Sequence, residues 1–131
     1  MTFLFFVFIG LTDYKIQNYF LNLYPSEYIL NMYLIEKTSE FDKWLRKLKD
    51  RRAKAKILFR IQRIEEKGNF GDCKPIGDGL TELRVPEGKG YRVYLKEHAG
   101  IVTILLFGGD KATQQADIEK AKILWTKYKK D

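Results

Sequence analysis

Apolar residues recur with a helical period in two runs between positions 38 and 68. In the first run Phe41, Trp44, Leu45 and Leu48 fall at i, i+3, i+4 and i+7, the spacing that places side chains on one face of a helix. Capping residues precede this run at 38–40. After a break at Asp50-Arg51-Arg52 the period resumes, with Ala53, Ile57, Leu58, Ile61 and Ile64, and it stops at Gly68-Asn69. The pattern predicts a helical hairpin.

Shorter patterns with the period of a β-strand flank this hairpin. Residues 33–37 form a short β-like run before it, and the glycine-rich residues 68–79 after it are typical of a loop. Residues 80–85 and 90–96 then alternate between apolar and polar, and the four residues that join them have the length of a hairpin loop. Residues 101–107 are apolar on both faces, which favours the central strand of a sheet.

The chain after the last strand-like run is predicted to turn at Gly108-Gly109-Asp110 and to end in a helix. The buried stripe of that helix is marked by Ile118, Ala121, Trp125 and Tyr128. Together the elements predict an α+β fold. We expect a small, mostly antiparallel, twisted sheet of about four strands, with an N-terminal helical hairpin and a C-terminal helix.

The composition changes abruptly at Met32. Residues 2–11 are an apolar run that is too short to cross a bilayer, which takes about 20 residues. No positive n-region or small-residue cleavage site marks a signal peptide. We therefore expect one domain at 32–131, preceded at 1–31 by an upstream in-frame extension or a disordered appendage. An extra helix packed on the domain is the alternative for residues 1–31.

The net charge of +7 favours a partner with negative charge, and nucleic acid is the commonest such partner. The single cysteine, Cys73, cannot form a disulfide within the chain, so a reduced, cytoplasmic location is expected. No motif for a metal, a phosphate loop or a dinucleotide is present, and neither Cys73 nor His98 has a catalytic context. The sequence predicts no cofactor and no metal.

Ten basic residues lie within positions 43–63, away from the apolar helix faces. A solvated helix surface explains such a pattern as well as a contact to RNA or the ribosome does, so both readings stay open. The residues selected for the contact are Arg46, Lys47, Arg51, Arg52 and Lys54.

A second basic group is predicted on one face of the sheet. Because side chains alternate along a strand, Leu83, Val85, Tyr91, Val93 and Leu95 are assigned to the core. The opposite face then collects Glu82, Arg84, Arg92, Tyr94 and Lys96, and Lys111 can point towards it. In the alternative reading, Glu82 forms a salt bridge with Arg84 or Arg92 and the face is merely polar.

Such a face has the chemistry to hold RNA and to cleave it. Arginine presents a fork of donors to phosphate oxygens, and a tyrosine such as Tyr94 can stack on a base. If the 2′-hydroxyl of the RNA attacks the neighbouring phosphorus, the enzyme must stabilise a dianion and transfer protons. Arginines meet the first need. A lysine that gives up its proton readily beside other cations, Lys111 or Lys96, is the candidate for the second.

The chain resembles the RelE/ParE toxin superfamily, and within it the HigB-type addiction module killer proteins. The resemblance spans essentially all of 32–131. It rests on several strings taken together: Leu80-Thr-Glu-Leu-Arg84, Gly90-Tyr-Arg-Val-Tyr94, Leu105-Leu-Phe-Gly-Gly-Asp-Lys111 with Gln114, Asp117-Ile118 and Ala121, Phe41-Asp-Lys-Trp-Leu45, and Gly68-Asn-Phe-Gly-Asp72.

The resemblance implies the toxin of a type II toxin–antitoxin system, a metal-independent endoribonuclease that cleaves mRNA in the ribosomal A site. It assigns catalysis to Arg92, Arg84 and Lys111, matched through the Gly-Tyr-Arg motif, the end of the preceding strand and the glycine turn. Relatives of RelE carry further lysines in the second of these strands and a tyrosine near the C-terminus. Here Glu82 is matched to one of those lysine positions, and the C-terminal tyrosine, Tyr128, falls on the predicted buried stripe. The proton-transfer residues are therefore left unassigned.

The resemblance also implies partners: the ribosome, mRNA and a cognate antitoxin, expected to be of the helix-turn-helix type, with an acidic segment over the basic face. Two other functions stay open. One is a binding protein that inhibits DNA gyrase, as ParE-type members do. The other is a relic that binds RNA without cutting it. No association with a membrane is expected.

Overall fold

The computed structural model describes residues 34–98 and 102–129. Strand β1 (Leu34–Lys37) is followed by helices α1 (Ser39–Lys47) and α2 (Arg51–Lys67). Four strands come next: β2 (Cys73–Gly77), β3 (Leu80–Val85), β4 (Tyr91–His98) and β5 (Val102–Asp110). A 3₁₀ turn (Lys111–Thr113) then leads into helix α3 (Gln114–Tyr128). The α+β class, the two N-terminal helices and the C-terminal helix are as predicted.

The sheet has five strands in the order β1-β5-β4-β3-β2. Strand β1 pairs with β5 in parallel, and the other neighbours are antiparallel. The sheet is therefore mixed, where about four mostly antiparallel strands were expected. The hairpin of β3 and β4 is confirmed, but the central strand is β4, and β5 lies between β4 and β1.

Strand β2 lies inside the segment that was predicted to be a loop. Its sequence, Cys-Lys-Pro-Ile-Gly, contains two residues that usually mark turns. Pro75 is tolerated because β2 is an edge strand, where a missing N–H need not leave a neighbouring strand unpaired. Its register with β3 shifts between Pro75 and Gly77. The turn-forming residues led to the prediction of a loop, but the segment forms a strand because it pairs with β3.

Side-chain caps begin the two N-terminal helices. The Phe41 N–H donates to Oγ1 of Thr38 at 3.0 Å, and the Ala53 N–H donates to Oδ1 of Asp50 at 3.0 Å. Each bond satisfies one of the N–H groups that a helix start leaves without a partner. Helix α2 ends where Gly68 adopts a left-handed conformation with φ of 64°, which glycine reaches at little cost. The predicted break between the helices is confirmed.

One side of the sheet forms the main core with α1 and α2. Phe41, Leu45, Ala53, Ile57 and Ile64 of the helices are buried there. The sheet contributes the set that alternation had assigned to the core, together with Ile35 and Leu105: Leu83, Val85, Tyr91, Val93 and Leu95. The predicted inward face is confirmed.

The other side of the sheet is covered in part by α3. Ala121 and Leu124 are buried against Tyr94, Leu80, Ile104 and Leu106, and the predicted stripe residues Ile118, Trp125 and Tyr128 pack around them. The molecule therefore has helices on both sides of the sheet. Helix α3 thus covers part of the sheet face that was predicted to bind RNA.

The two glycines predicted to turn the chain lie within β5. A Cβ on Gly108 would overlap the ring of Trp44, and one on Gly109 would overlap the carboxylate of Asp117. The glycines thus let α1 and α3 approach the sheet from opposite sides. The turn comes later, at Asp110, whose Oδ1 accepts from the N–H groups of Ala112 at 2.9 Å and Thr113 at 3.3 Å.

The predicted extension at 1–31 lies outside the described residues and stays a prediction. Within 34–98 and 102–129, no helix has the length and apolar character needed to span a membrane. The same ranges contain no group of three or more His, Cys, Asp or Glu side chains arranged to hold a metal ion.

Candidate nucleic-acid interface

The three residues predicted to be catalytic lie at one end of the sheet. Arg84 on β3 is directly opposite Arg92 on β4, and Arg92 is opposite Gly109 on β5. Lys111 follows Gly109 by two residues. Since directly opposed residues of antiparallel strands project to the same face, Arg84 and Arg92 share the face on which α3 lies. The register brings together residues from three neighbouring strands.

Arg92 is held from two sides. Its Nη1 donates to the carbonyl oxygen of Gly90 at 2.8 Å, and its Nε lies 3.6 Å from Oε1 of Glu82. Its side chain is 14% exposed, so most of it is buried and only a small part reaches solvent. An arginine held in this way can meet a phosphate without first losing much side-chain freedom.

Arg84 has a different partner. Its Nη2 and Nε donate to Oδ1 of Asp72 at 2.8 and 3.2 Å. This pair is open to solvent, with the arginine side chain 43% and the aspartate 50% exposed. The predicted salt bridge between Glu82 and Arg84 is therefore absent from the described residues, whereas the alternative pairing of Glu82 with Arg92 is present.

Arg60 supports the loop that carries Asp72, a role that its position among the helix cations did not reveal. Its Nη1 donates to the carbonyl oxygen of Arg84 at 2.6 Å. Its Nη2 donates to the carbonyl oxygens of Phe70 at 2.7 Å and Asp72 at 3.0 Å. Arg60 thus joins α2, β3 and the loop before β2, and it is not a free surface cation.

Lys111 is exposed at the first position of the 3₁₀ turn. The place that a Cβ on Gly90 would occupy is 3.7 Å from Cβ of Lys111 and 3.6 Å from Nη1 of Arg92. Gly90, at φ of 76°, thus lies between the two cations and leaves that space open. The arrangement puts an exposed lysine beside a restrained arginine.

Tyr94 does not face solvent. It is completely buried, at 0% exposure, beneath α3. Burial and then the charge of Glu82 raise the pKa of its phenol well above the ordinary value. The expectation that Tyr94 stacks on a base disagrees with this placement, because no ring face is accessible in the structure. Alternation placed Tyr94 on the correct face, but it could not show that α3 covers that position.

Lys96 shares this face but lies away from the arginines. Four residues separate it from Arg92, which is about 13 Å along an extended strand. Its Nζ is 5.6 Å from the centroid of the Trp125 ring on α3. The ring of His98 is 5.7 Å from that of Trp125, so it too belongs to the far end of the strand. Lys96 does not join the group formed by Arg84, Arg92 and Lys111.

The cations selected on α1 and α2 are at the surface, with Lys54 half-buried. Arg46 pairs with Asp42 at 3.0 Å, and Arg52 pairs with Glu87 at 3.3 Å. The hydrogen bond from Lys56 is the main reason that the pKa of Glu87 is lowered. Among the described residues, no ion pair involves Lys47, Arg51 or Lys54.

A groove of about 740 Å³ is lined by one of these cations, Lys47, but not by Arg84, Arg92 or Lys111. It runs between the turn from α1 to α2, the β3–β4 hairpin and the start of α3. Its lining includes Trp44, Lys47, Lys49, Lys89 and Asp110. The groove was not foreseen, because its walls come from segments far apart in the sequence.

Comparison with known proteins places this arrangement in a family. The model of the phage-derived Gp49-like proteins matches residues 43–129, which include the arginine pair, Lys111 and most of the sheet. The chain belongs to the Gp49-like family. A relative from Haemophilus influenzae, described as an uncharacterized protein, is 59% identical over 90 residues, which are 69% of this chain and 90% of the relative.

The fold of this Gp49-like protein is shared with a solved toxin. The structure of an Escherichia coli RelE double mutant in the free state matches with a TM-score of 0.52 and 14% sequence identity. The match covers 68% of this chain and 97% of the other. The superfamily resemblance is therefore supported at the level of the fold, and the HigB-type assignment stays a prediction.

Proposed function

We propose that this Gp49-like protein is the toxin of a type II toxin–antitoxin pair and cleaves mRNA on the ribosome. The observation that carries the proposal is the register Arg84–Arg92–Gly109, which gathers two arginines and Lys111 at one end of the sheet. The fold shared with RelE supports it, as does the resemblance to HigB-type sequences.

In the proposed reaction the 2′-hydroxyl attacks the adjacent phosphorus and the bond to the 5′-oxygen breaks. The products are a 2′,3′-cyclic phosphate and a 5′-hydroxyl. Arg92, with Arg84 beside it, is proposed to stabilise the extra negative charge of the phosphorane. Lys111 is proposed to contact the same phosphate or to transfer a proton to the leaving 5′-oxygen. The 2′-hydroxyl releases its proton to water, since no side chain of this group is assigned as the general base, and the proposed scheme uses no metal.

The surface cations of the helices are proposed to hold the protein on ribosomal RNA. Lys47, Arg51 and Lys54 support this role best, since they are not engaged in the ion pairs described above. Arg46 and Arg52 are proposed to contribute after exchanging a carboxylate for a phosphate. Exposed ion pairs are worth about 0–1 kcal/mol, so such an exchange is inexpensive. Because Lys96 lies apart from the arginines on the same sheet face, it is proposed to contact a nucleotide next to the cleaved one.

The proposed partner is an antitoxin of the helix-turn-helix type with an acidic segment. The excess of positive charge on the chain supports an acidic ligand. An antitoxin that covers the end of the sheet would keep mRNA from Arg92 and Lys111. A neighbouring reading frame for a small helix-turn-helix protein would support this pairing.

The proposal is tested with purified ribosomes that carry a defined mRNA. Primer extension should detect cuts within the translated frame for the unaltered protein and none for Arg92→Ala. Arg92→Lys keeps the positive charge, and circular dichroism checks that each variant is folded. Lys122→Ala on α3 is the control, because Lys122 pairs with Asp78 at 3.5 Å, away from the arginines.

Three results would overturn the proposal. Full cleavage by a folded Arg92→Ala protein would show that Arg92 does not take part in catalysis. Inhibition of DNA supercoiling by gyrase, without any cut in mRNA, would favour the ParE-type function instead. Salt-sensitive binding to RNA without cleavage would identify a relic.

A further inference from the structure

Glu82 is a completely buried carboxylate, at 0% exposure, on the same sheet face as Arg92. Its Oε2 accepts from Nε2 of Gln114 at 2.7 Å. Its Oε1 lies 3.6 Å from Nε of Arg92 and 3.8 Å from Nζ of Lys74. Residues of β2, β4 and α3 therefore direct donors at one carboxylate on β3. A buried charge is costly unless donors of this kind surround it.

Three buried polar atoms near this carboxylate have no hydrogen-bond partner among the described residues: Oε1 of Glu82, Nε of Arg92 and the hydroxyl of Tyr94. Glu82 and Tyr94 are directly opposed in the register of β3 and β4. One acceptor and two donors therefore meet at the same place. Buried polar groups in folded proteins are rarely left unsatisfied, and a small movement of Arg92 towards Glu82 would pair two of these three atoms, Nε and Oε1.

The position of Glu82 also determines which part of Arg92 is available to a ligand. Nε is directed at Glu82, and Nη1 is bonded to the Gly90 carbonyl oxygen. Two of the three nitrogens of the guanidinium are thus engaged by the protein. The two N–H groups of Nη2 are left to donate to a phosphate, in a plane that the other two contacts fix.

We propose that Glu82 is a positioning residue that fixes the guanidinium plane of Arg92 for the scissile phosphate. This inference rests on the proposed function. Glu82 acts through Arg92 and does not touch the RNA, and Gln114 keeps the carboxylate in place from the first residue of α3. Asp72 has no equivalent role for Arg84, because that pair is exposed and free to rearrange.

Two substitutions separate positioning from simple neutralisation of charge. Glu82→Gln keeps the shape of the side chain and removes its charge. Glu82→Asp keeps the negative charge but moves the carboxylate away from Arg92, because its side chain is one methylene shorter. If Glu82 only balanced the charge of Arg92, Glu82→Asp would restore cleavage. Positioning predicts that both variants are slow, because displacement of a catalytic group by about 1 Å can cost roughly 100-fold in rate.

Cleavage is measured at several concentrations of mRNA-loaded ribosomes, so that kcat and KM are obtained separately. We expect both Glu82 variants to lower kcat by about 10- to 100-fold with little change in KM. Asp78→Asn is the matched control, since it removes a carboxylate that pairs with Lys122 at the surface. This control should cleave like the unaltered protein.

A second measurement does not depend on activity. The Nε–H resonance of Arg92 in a ¹⁵N spectrum, assigned by its loss in Arg92→Lys, should shift in both Glu82 variants and be unchanged in Asp78→Asn. Should Glu82→Gln fail to fold, Glu82→Asp and Gln114→Ala provide the same comparison. Gln114→Ala should shift the resonance less, because it leaves the carboxylate present.

The outcomes distinguish this inference from the function on which it rests. Full kcat in either folded Glu82 variant, or an unchanged Arg92 resonance, would overturn the positioning role. If Arg92→Ala is inactive while Glu82→Gln is fully active, the proposed function stands and the positioning role fails. If the unaltered protein cuts no mRNA, the proposed function fails, and the positioning role for that reaction fails with it.

Discussion

Arg84 and Arg92 lie directly opposite each other on β3 and β4, yet each is paired with a different carboxylate in a different environment. Arg84 contacts Asp72 at the surface, and Arg92 lies beside the buried Glu82. Because exchange with a ligand is easier at an exposed pair, the two arginines are suited to different tasks. Arg84 can exchange Asp72 for a phosphate oxygen and move with it. Arg92, held beside Glu82, keeps its guanidinium in one position.

The first prediction concerns the stability provided by the pair of Arg92 and Glu82. Arg92→Met should destabilise the protein by about 3 kcal/mol, because it leaves a buried carboxylate with fewer donors. The double variant Arg92→Met/Glu82→Met should recover most of that loss. Urea denaturation at neutral pH measures both effects. A double variant no more stable than the single one would contradict this account.

The second prediction concerns the contact between Gly108 and Trp44. Gly108→Ala should lower the free energy of unfolding by about 1–3 kcal/mol, since the added Cβ overlaps the indole ring and forces α1 away from the sheet. The control repeats Gly108→Ala in a Trp44→Leu background, where the indole ring that the added Cβ would overlap is gone. An equal loss with and without the indole ring would argue against a packing effect.

The third prediction follows from Asp117, which is buried over Gly109 and accepts from Oγ1 of Thr113 at 2.5 Å. Burial is the main reason that the pKa of its carboxyl is raised above 3.8 in the folded state. The folded protein therefore binds the proton more tightly than the unfolded chain does. Its contribution to stability is fully present below pH 3.8 and is lost as the pH rises through the folded pKa.

Asp117→Asn removes this titration and can keep the Thr113 hydrogen bond. We expect its free energy of unfolding, relative to the unaltered protein, to increase as the pH rises from 3.8 towards neutrality. Urea denaturation at a series of pH values measures the difference. A difference that is constant with pH, or that falls as the pH rises, would show that Asp117 does not titrate as described.

The fourth prediction concerns the helix cations. Replacing Lys47, Arg51 and Lys54 with alanine should weaken binding to ribosomes and reduce the slope of log K against log salt by about 2–3, roughly one per lost phosphate contact. The matched control removes three lysines of α3: Lys120, Lys122 and Lys127. An equal change in the control would mean that net charge, and not the helix surface, governs binding.

The sequence by itself determined the elements that depend on neighbouring residues. The capping segment at 38–40, the break at Asp50 and the stop at Gly68 are local signals, and the structure has Thr38, Asp50 and Gly68 as the caps of α1 and α2. The alternation of β3 and β4 and their short connection determined which side chains share a face. Arg84 and Arg92 could therefore be grouped before any contact was known.

Only the tertiary structure decided what covers that face and which groups pair across it. Strand β2 contains turn-forming residues and exists because β3 offers a partner. Gly108 and Gly109 are close-packing positions because Trp44 and Asp117 arrive from distant helices. Tyr94 and Glu82 are buried because α3 crosses them, a contact that strand alternation cannot reveal. The spacing of residues along a helix or strand specifies which face each side chain occupies. Whether that face is buried, and which groups pair on it, depends on segments that meet only after folding.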